Sequence, residues 1–286
     1  MYVDAGVATK SWFQIFSLLQ RLRQACDHMA LTAPSRFESF SDGEFENLST
    51  VTVEECTDTA GMNLDQSDTA QVVATPCIVR TTDSINSLDE GLSAKLQAVL
   101  NELEKVWTDR QNCKVLIFSQ YLGFLNLLKK QLQSWNVETF QLVGAMSMTA
   151  RSDALNAFVK AKGRKVVLPN SNNKTLQSGS VFLMSMKAGG VGLNLTCASC
   201  VFIVDPWWHA AMDEQCINRV HRIGQKADIV LVRKFIVTDS VEEKILSLQK
   251  RKKSLSSQIL GDKVSKFEEK GTSNPTIEDF NILFAR

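Results

Sequence analysis

The apolar positions along the chain change period several times, and each change marks an element. Over residues 11–32, Phe13, Phe16, Leu19, Leu22 and Ala25 recur at helical spacing with Arg21 and Arg23 on another face, which predicts a helix. From 34 to 90 neither a helical nor a strand period persists, and Gly43, Gly61, Pro76 and many Ser and Thr interrupt the stretch, so a mostly disordered insertion is expected. Order resumes at 92, where Leu92, Leu96, Val99, Leu100, Leu103 and Val106 trace a helical stripe. Five short apolar runs then read as strands: 114–119 (KVLIFS), 137–142, 181–185 (VFLMS), 201–205 (VFIVD) and 230–235 (VLVRKF). Helices over 122–135, 149–159 and 210–221 fall between them. The polar stretch 160–179 is too long for an ordinary connection and is expected to be a loop insertion. Ser240 followed by Glu243 forms a capping box for a last helix, whose apolar side is Val241, Ile245, Leu248, Leu255 and Ile259.

Short apolar strands alternating with helices predict an α/β fold, a parallel sheet covered by helices on both faces. The expected organisation is an N-terminal helical segment (1–33), an acidic insertion (34–91), the α/β lobe (92–239), and a C-terminal bracing helix and tail (240–286). Hydrophobic content of 44% in 286 residues is enough for a large core, and no apolar run reaches the roughly 18 residues of a membrane span. No membrane partner is expected. The opening residues lack the basic and apolar regions of a secretory signal, so the chain reads as soluble and intracellular.

Charge adds a second layer to this picture. The formal net charge is +1, yet residues 37–90 hold twelve Asp or Glu against one basic residue, Arg80. The rest of the chain is correspondingly basic, which suits a polyanionic partner or simply a solvated basic surface. Seven cysteines, an odd and scattered set, suit free thiols better than a disulfide framework. Cys197 and Cys200 make one C-x-x-C pair with no second pair at zinc spacing, and ordinary core cysteines are the expectation; no metal ligand set is predicted. The Lys250 to Lys253 run could touch phosphates, serve nuclear import or be a wet helix face.

Two stretches carry candidate chemistry. After the strand at 181–185 come Lys187, Gly189, Gly190 and Gly192, which leave backbone N–H groups open to an anion or make only a tight turn. A dinucleotide fingerprint is excluded, because the third glycine it requires is Leu195. After the strand at 201–205, Gln215, Arg219 and Arg222 are spaced to share one helix face. Two adjacent guanidiniums repel each other unless an anion lies between them, and a phosphate fits the arginine fork.

These stretches, "VFLMSMKAGGVGLNL", "FIVDPWWHAAMDEQ" and "INRVHRIGQ", resemble motifs five and six of the Swi/Snf-type ATP-dependent DNA translocases of helicase superfamily two. "KVLIFSQY" and "LVGAMSMTARSDAL" are similar to earlier motifs of the same second, RecA-like lobe, and "LLQRLRQACDHMAL" resembles the helix before that lobe in the branch of helicase-like transcription factor and yeast repair relatives. The resemblance runs from Leu92 to about Leu260. It implies a RecA-like sheet, arginine fingers at Arg219 and Arg222 reaching the γ-phosphate of ATP, and Gln215 and Gly192 beside the nucleotide. It further implies that Ser119, Ser185, Lys187, Gly189 and Gly190 hold phosphates of the tracked strand, and that Trp208 lies near the DNA groove. Such contacts give affinity without sequence information. The partners implied are double-stranded DNA, bare or in nucleosomes, in the nucleus.

The sequence departs from the family pattern in two places: Leu142, Val143 and Gly144 stand where Leu-Asp-Gly is common, and His209 where Asn follows the tryptophans. The branch commonly carries a RING domain after its first helix. Here residues 34–91 offer only Cys56 and Cys77 and no histidine, so neither a RING nor ubiquitin ligase activity is expected. An ATPase also needs a phosphate-cradling G-x-x-x-x-G-K-[ST] loop and a carboxylate for magnesium. No such loop stands in this sequence, and no acidic pair follows an apolar strand as a magnesium site would require. The expectation is the second lobe of a two-lobed motor whose ATP and Mg2+ are held mainly by a first RecA-like lobe in cis or trans, inactive alone. A non-catalytic DNA-binding or interaction fragment is the alternative.

Overall fold

Strand β4 (Val115–Ser119) reads VLIFS and is buried along its whole length, which a strand allows only if both sheet faces are covered. The computed structural model describes residues 8–32, 49–53, 72–73, 77–84, 92–167, 175–186, 188 and 193–261. On one side of β4 lies β8 (Val181–Ser185), followed by β5 (Thr139–Leu142). On the other lie β9 (Cys200–Ile203), β10 (Ile229–Val237) and β3 (Cys77–Ser84). All five pairings are parallel, giving a six-stranded RecA-like sheet in the order β3-β10-β9-β4-β8-β5.

Alternation along β4 sends Val115 and Ile117 to one face and Leu116 and Phe118 to the other. On the first face α2 (Ala94–Asp109) contributes Val99, Leu103 and Trp107, and α3 (Leu122–Ser134) contributes Phe124 and Leu128. The second face takes Phe158 from α4 (Met148–Lys160) and Cys216 and Ile217 from α5 (Ala210–Ile217). Phe158 stacks on Phe182 at 5.0 Å between centroids. Caps hold the helix starts: Ser93 Oγ accepts from the Leu96 N–H, and Ser147 Oγ from the Ala150 N–H. The capping box expected at Ser240 is shifted by one residue. Ser240 Oγ accepts from the Glu242 N–H, while Glu243 reaches back to the N–H of Asp239.

A third, smaller cluster joins α1 (Ala8–Asp27) to α6 (Val241–Gly261): Leu19 from α1 and Ile245 and Leu248 from α6 close around Trp208. Both terminal helices are thereby packed onto the loop that follows β9.

The sheet differs from expectation at two points. Residues 34–91, expected to lack regular structure, supply β1 (Ser49–Val53), β2 (Val72–Val73) and β3; the remainder of that stretch lies outside the described residues. Strand β3 pairs in parallel with β10 from Cys77 to Thr81, and β1 caps it antiparallel. Open backbone groups along the long edge of β10 are what recruit a neighbour here, a tertiary demand that local polarity does not announce. The second point is 160–179, expected as a loop, which holds a hairpin of β6 (Lys165–Val167) and β7 (Thr175–Gln177). Among the described residues no helix is long and apolar enough to cross a membrane.

Candidate functional site at the strand ends

Parallel strands bring their carboxyl ends to one edge, and ligands of such sheets gather there. Ser119 at the end of β4 is the register partner of Ser185 at the end of β8, and the Met186 N–H donates to the Ser119 carbonyl at 3.1 Å. Asp205 follows β9 on the other flank of β4. Ser185 is buried, and its Oγ accepts from the Ala188 N–H at 3.2 Å, so it shapes the turn that opens toward the glycine cluster. Lys187, Gly189, Gly190 and Gly192 lie outside the described residues.

Arg219 and Arg222 meet the segment just after those glycines. The Leu195 N–H donates to the Arg219 carbonyl at 3.0 Å, and Arg222 Nη1 donates to the Leu193 carbonyl at 3.3 Å. The structure therefore joins the two stretches that the sequence singled out separately. It does so by a different route from the shared helix face expected at first. Helix α5 ends at Ile217, so only Gln215 sits on it; Arg219 and Arg222 ride tight turns beyond its end. Past Ile217 the backbone closes into tight turns, the Arg219 N–H donating to the Cys216 carbonyl at 3.3 Å and the Val220 N–H to the Ile217 carbonyl at 3.0 Å, while the Val220 side chain stays buried against the second core. Gly224, at φ +97°, then turns the chain in a conformation that other residues avoid. Gln215 and Arg222 are exposed, and Arg219 is half-buried.

Two expected DNA contacts are placed differently. Ser119 is fully buried and donates its hydroxyl to Asp205 Oδ2, which also accepts the Gln120 N–H at 2.9 Å. Trp208 is 3% exposed, packed between α1 and α6 with the Arg23 guanidinium 4.8 Å from its ring centroid. Both side chains are buried in the lobe. A large indole gains more from burial than from water, and two helices supply that burial.

The residues that sequence reasoning missed are the charged ones beneath this edge. Lys95 on α2 is fully buried, with Nζ 2.7 Å from Asp27 of α1, 2.5 Å from Glu242 of α6 and 3.9 Å from Asp205. Burial alone would push Lys95 toward the neutral form. The carboxylates of Asp27, Glu242 and Asp205 outweigh it and hold the ammonium above the ordinary lysine range. Burial, and then the nearby Asp205 carboxylate, raises Asp27 well above the usual carboxylate range; burial also raises Glu242, with Lys95 opposing it. Asp27, Asp205 and Glu242 are the one metal-capable grouping among the described residues, and the Lys95 ammonium occupies their centre. Neither Cys197 nor Cys200 belongs to it: Cys197 is exposed and Cys200 is buried in β9.

Asp213 plays a similar part for α5. Its Oδ2 accepts from Lys234 Nζ at 2.8 Å and from Gln249 Nε2 at 3.2 Å, which ties the start of α5 to β10 and α6. Burial raises the Asp213 pKa, and Lys234 offsets part of that. One small pocket of about 130 Å3 opens nearby, lined by Leu142, Met148, Arg151, Leu155, Ala188 and Leu193. It falls below the roughly 300 Å3 of ordinary ligand pockets.

Comparison with known proteins matches residues 94–224 to the helicase conserved C-terminal domain. The DNA repair protein RAD5 of Gibberella zeae is 40% identical over 167 residues, covering 58% of this chain and 13% of that protein. The DNA repair protein RAD5B of Arabidopsis thaliana is 32% identical over 345 residues, covering 99% of this chain and 25% of that protein. Among solved structures, the C-terminal part of the Fun30 ATPase domain is 32% identical with a TM-score of 0.47, covering 55% of this chain and 45% of that one. The chain thus spans a quarter or less of the length of these two curated relatives.

Proposed function

The chain belongs, through residues 94–224, to the Swi/Snf-type C-terminal helicase lobes, and on that premise we propose that it is the second lobe of an ATP-driven double-stranded DNA translocase. The observation that carries this reading is the junction of Arg219 and Arg222 with the Leu193–Leu195 backbone, immediately after the glycine cluster. A finger must be aimed from a fixed turn, and it must move with the loop that tracks DNA if hydrolysis is to drive stepping. The hydrogen bonds from the Leu195 N–H to the Arg219 carbonyl and from Arg222 Nη1 to the Leu193 carbonyl support that coupling.

In this reading Arg219 and Arg222 approach the γ-phosphate across a cleft and stabilise the charge that develops during transfer, with Gln215 and Gly192 beside the nucleotide. Ser185, Lys187, Gly189 and Gly190 contact phosphates of the tracked strand. Ser119 and Trp208 support that edge from within. ATP and Mg2+ are held by a first RecA-like lobe, in cis or trans. The setting is DNA repair or chromatin remodelling in the nucleus, in keeping with the DNA repair relatives.

The test is Arg222→Ala in a motor that reunites this chain with a first lobe. ATP turnover should be abolished while duplex binding survives; undiminished turnover would sink the finger assignment. The alternative is a non-catalytic DNA-binding or interaction fragment, favoured by the lack of a phosphate-cradling lysine loop in these 286 residues. It expects salt-sensitive duplex binding by the chain as its whole activity, with turnover unchanged by addition of a first lobe.

A further inference from the structure

Five charged side chains from four segments meet beneath the strand-end edge. Lys95 joins Asp27, Glu242 and Asp205, and Arg23 donates to the Pro206 carbonyl while stacking on Trp208. Arg23, Asp27, Lys95, Asp205 and Glu242 are all fully buried. Burying ions is costly, and well-packed apolar residues would brace helices at least as firmly. What ions add is direction: each of these groups fixes a particular backbone or side-chain donor or acceptor. Asp205 Oδ2 accepts from the Ser119 hydroxyl and the Gln120 N–H, Glu242 Oε2 accepts from the Val237 N–H at 3.0 Å, and Arg23 holds the carbonyl just before the two tryptophans. Ser93 Oγ, the cap of α2, also donates to the Asp27 carbonyl, so α1 and α2 are fixed to each other at the same point.

We propose that Lys95 and its carboxylates form a positioning hub that sets the turns after β4 and β9 through Asp205, and that α1 and α6 are working parts of the strand-end edge. Asp27 and Glu242 both lie outside the matched region 94–224, so a lobe trimmed to that region would lose two of the three acids around Lys95. Asp205 is a positioning residue here, since it acts through Ser119, Gln120 and the Pro206–Trp208 loop. The functional half of the proposal rests on the reading that these turns border the DNA path; the positioning half does not.

The test is amide hydrogen exchange at Gln120 in the full chain, followed by duplex-DNA binding by fluorescence anisotropy at low salt. Asp205→Ala should speed exchange at Gln120 by about tenfold or more, since the acceptor of that amide is lost. Asp205→Asn keeps an acceptor of the same shape and should recover most of the protection, a rescue that simple loss of charge balance would not give. Asp27→Ala, one contact further away, should also speed exchange at Gln120, whereas Leu19→Ala, which thins the α1–α6 seam without touching the hub, should not. Unchanged exchange at Gln120 in Asp205→Ala and Asp27→Ala would overturn the hub. Faster exchange with wild-type duplex affinity would overturn its functional half, and faster exchange with about tenfold weaker duplex binding would support both halves. A wild-type chain that binds no duplex would remove the translocase reading and the functional half with it, while the exchange results would still decide the positioning half.

Discussion

Gln225 Nε2 donates to the Ala198 carbonyl at 2.8 Å and to the Val220 carbonyl at 3.1 Å, so one buried amide ties the turn carrying Arg222 to the segment leading into β9. Its Oε1 accepts the Ala227 N–H at 3.0 Å, which fixes the exit from the turn as well. Gln225→Ala leaves those partners without their donor or acceptor and should cost about 1–3 kcal/mol in urea unfolding of the chain. In a reunited motor the same change should lower ATP turnover more than duplex affinity, since it loosens the arginine turn.

Gly224 and Gly179 separate backbone strain from steric exclusion. At Gly224, φ is +97° and an added Cβ meets nothing within 4 Å, so Gly224→Ala should cost only about 1–2 kcal/mol of conformational strain. At Gly179 a Cβ would lie 1.7 Å from the Cys113 carbonyl oxygen, a contact that only backbone movement can relieve. Parallel denaturation curves should therefore show Gly179→Ala as the much more damaging variant.

The Asp213–Lys234 pair is mostly shielded from water, with side-chain exposures of 0% and 14%. Removing the cation strands a buried carboxylate, so Lys234→Met should destabilise the chain by about 3–5 kcal/mol. Lys234→Met combined with Asp213→Asn should recover much of that loss. If the double variant were no more stable than the single one, the pair would not be the source of the cost.

Asp27, Asp213 and Glu242 all have folded-state pKa values above their ordinary ones, with burial the first cause in each. The folded state therefore binds these protons more tightly than the unfolded state does. Their contribution to stability is complete below the ordinary carboxylate pKa of about 4 and is lost as pH rises through the raised values. The melting temperature should fall as pH rises above that range. Asp27→Asn cannot lose the proton, so its melting temperature should decline less steeply with pH than that of the wild type.

Cys113 moves in the opposite direction. Its thiol is lowered from 9.0 to about 7, first through a hydrogen bond with Cys200, with burial opposing and Ser199 and Arg110 assisting. The linked stability is present above the ordinary thiol pKa and is lost as pH falls through about 7. The ultraviolet absorbance of the thiolate should show a step centred at about pH 7 that Cys113→Ser abolishes; an unchanged titration would assign the step elsewhere.

The lobe's helices and central strands were legible because their side chains keep strict periods. Val115 to Ser119 and Val181 to Ser185 are apolar runs between polar turns, and Leu96, Val99 and Leu103 mark one helix stripe. The arginine turn was legible as a motif but not as a shape. Spacing placed Gln215, Arg219 and Arg222 on one helix, whereas the helix ends at Ile217 and both arginines follow on turns.

The sequence by itself determined which residues form the α/β layers and where the glycine and arginine motifs stand, because periodicity and motif spacing are local properties of the chain. Only the tertiary structure decided that Ser119 and Trp208 turn inward, that β3 joins the sheet from an acidic stretch, and that Lys95 collects Asp27, Asp205 and Glu242. Those outcomes join residues up to 215 positions apart, Asp27 and Glu242 around one ammonium, and no local pattern announces a partner that distant. An isolated buried charge is costly, so the fold brought its partners together from wherever along the chain they lay.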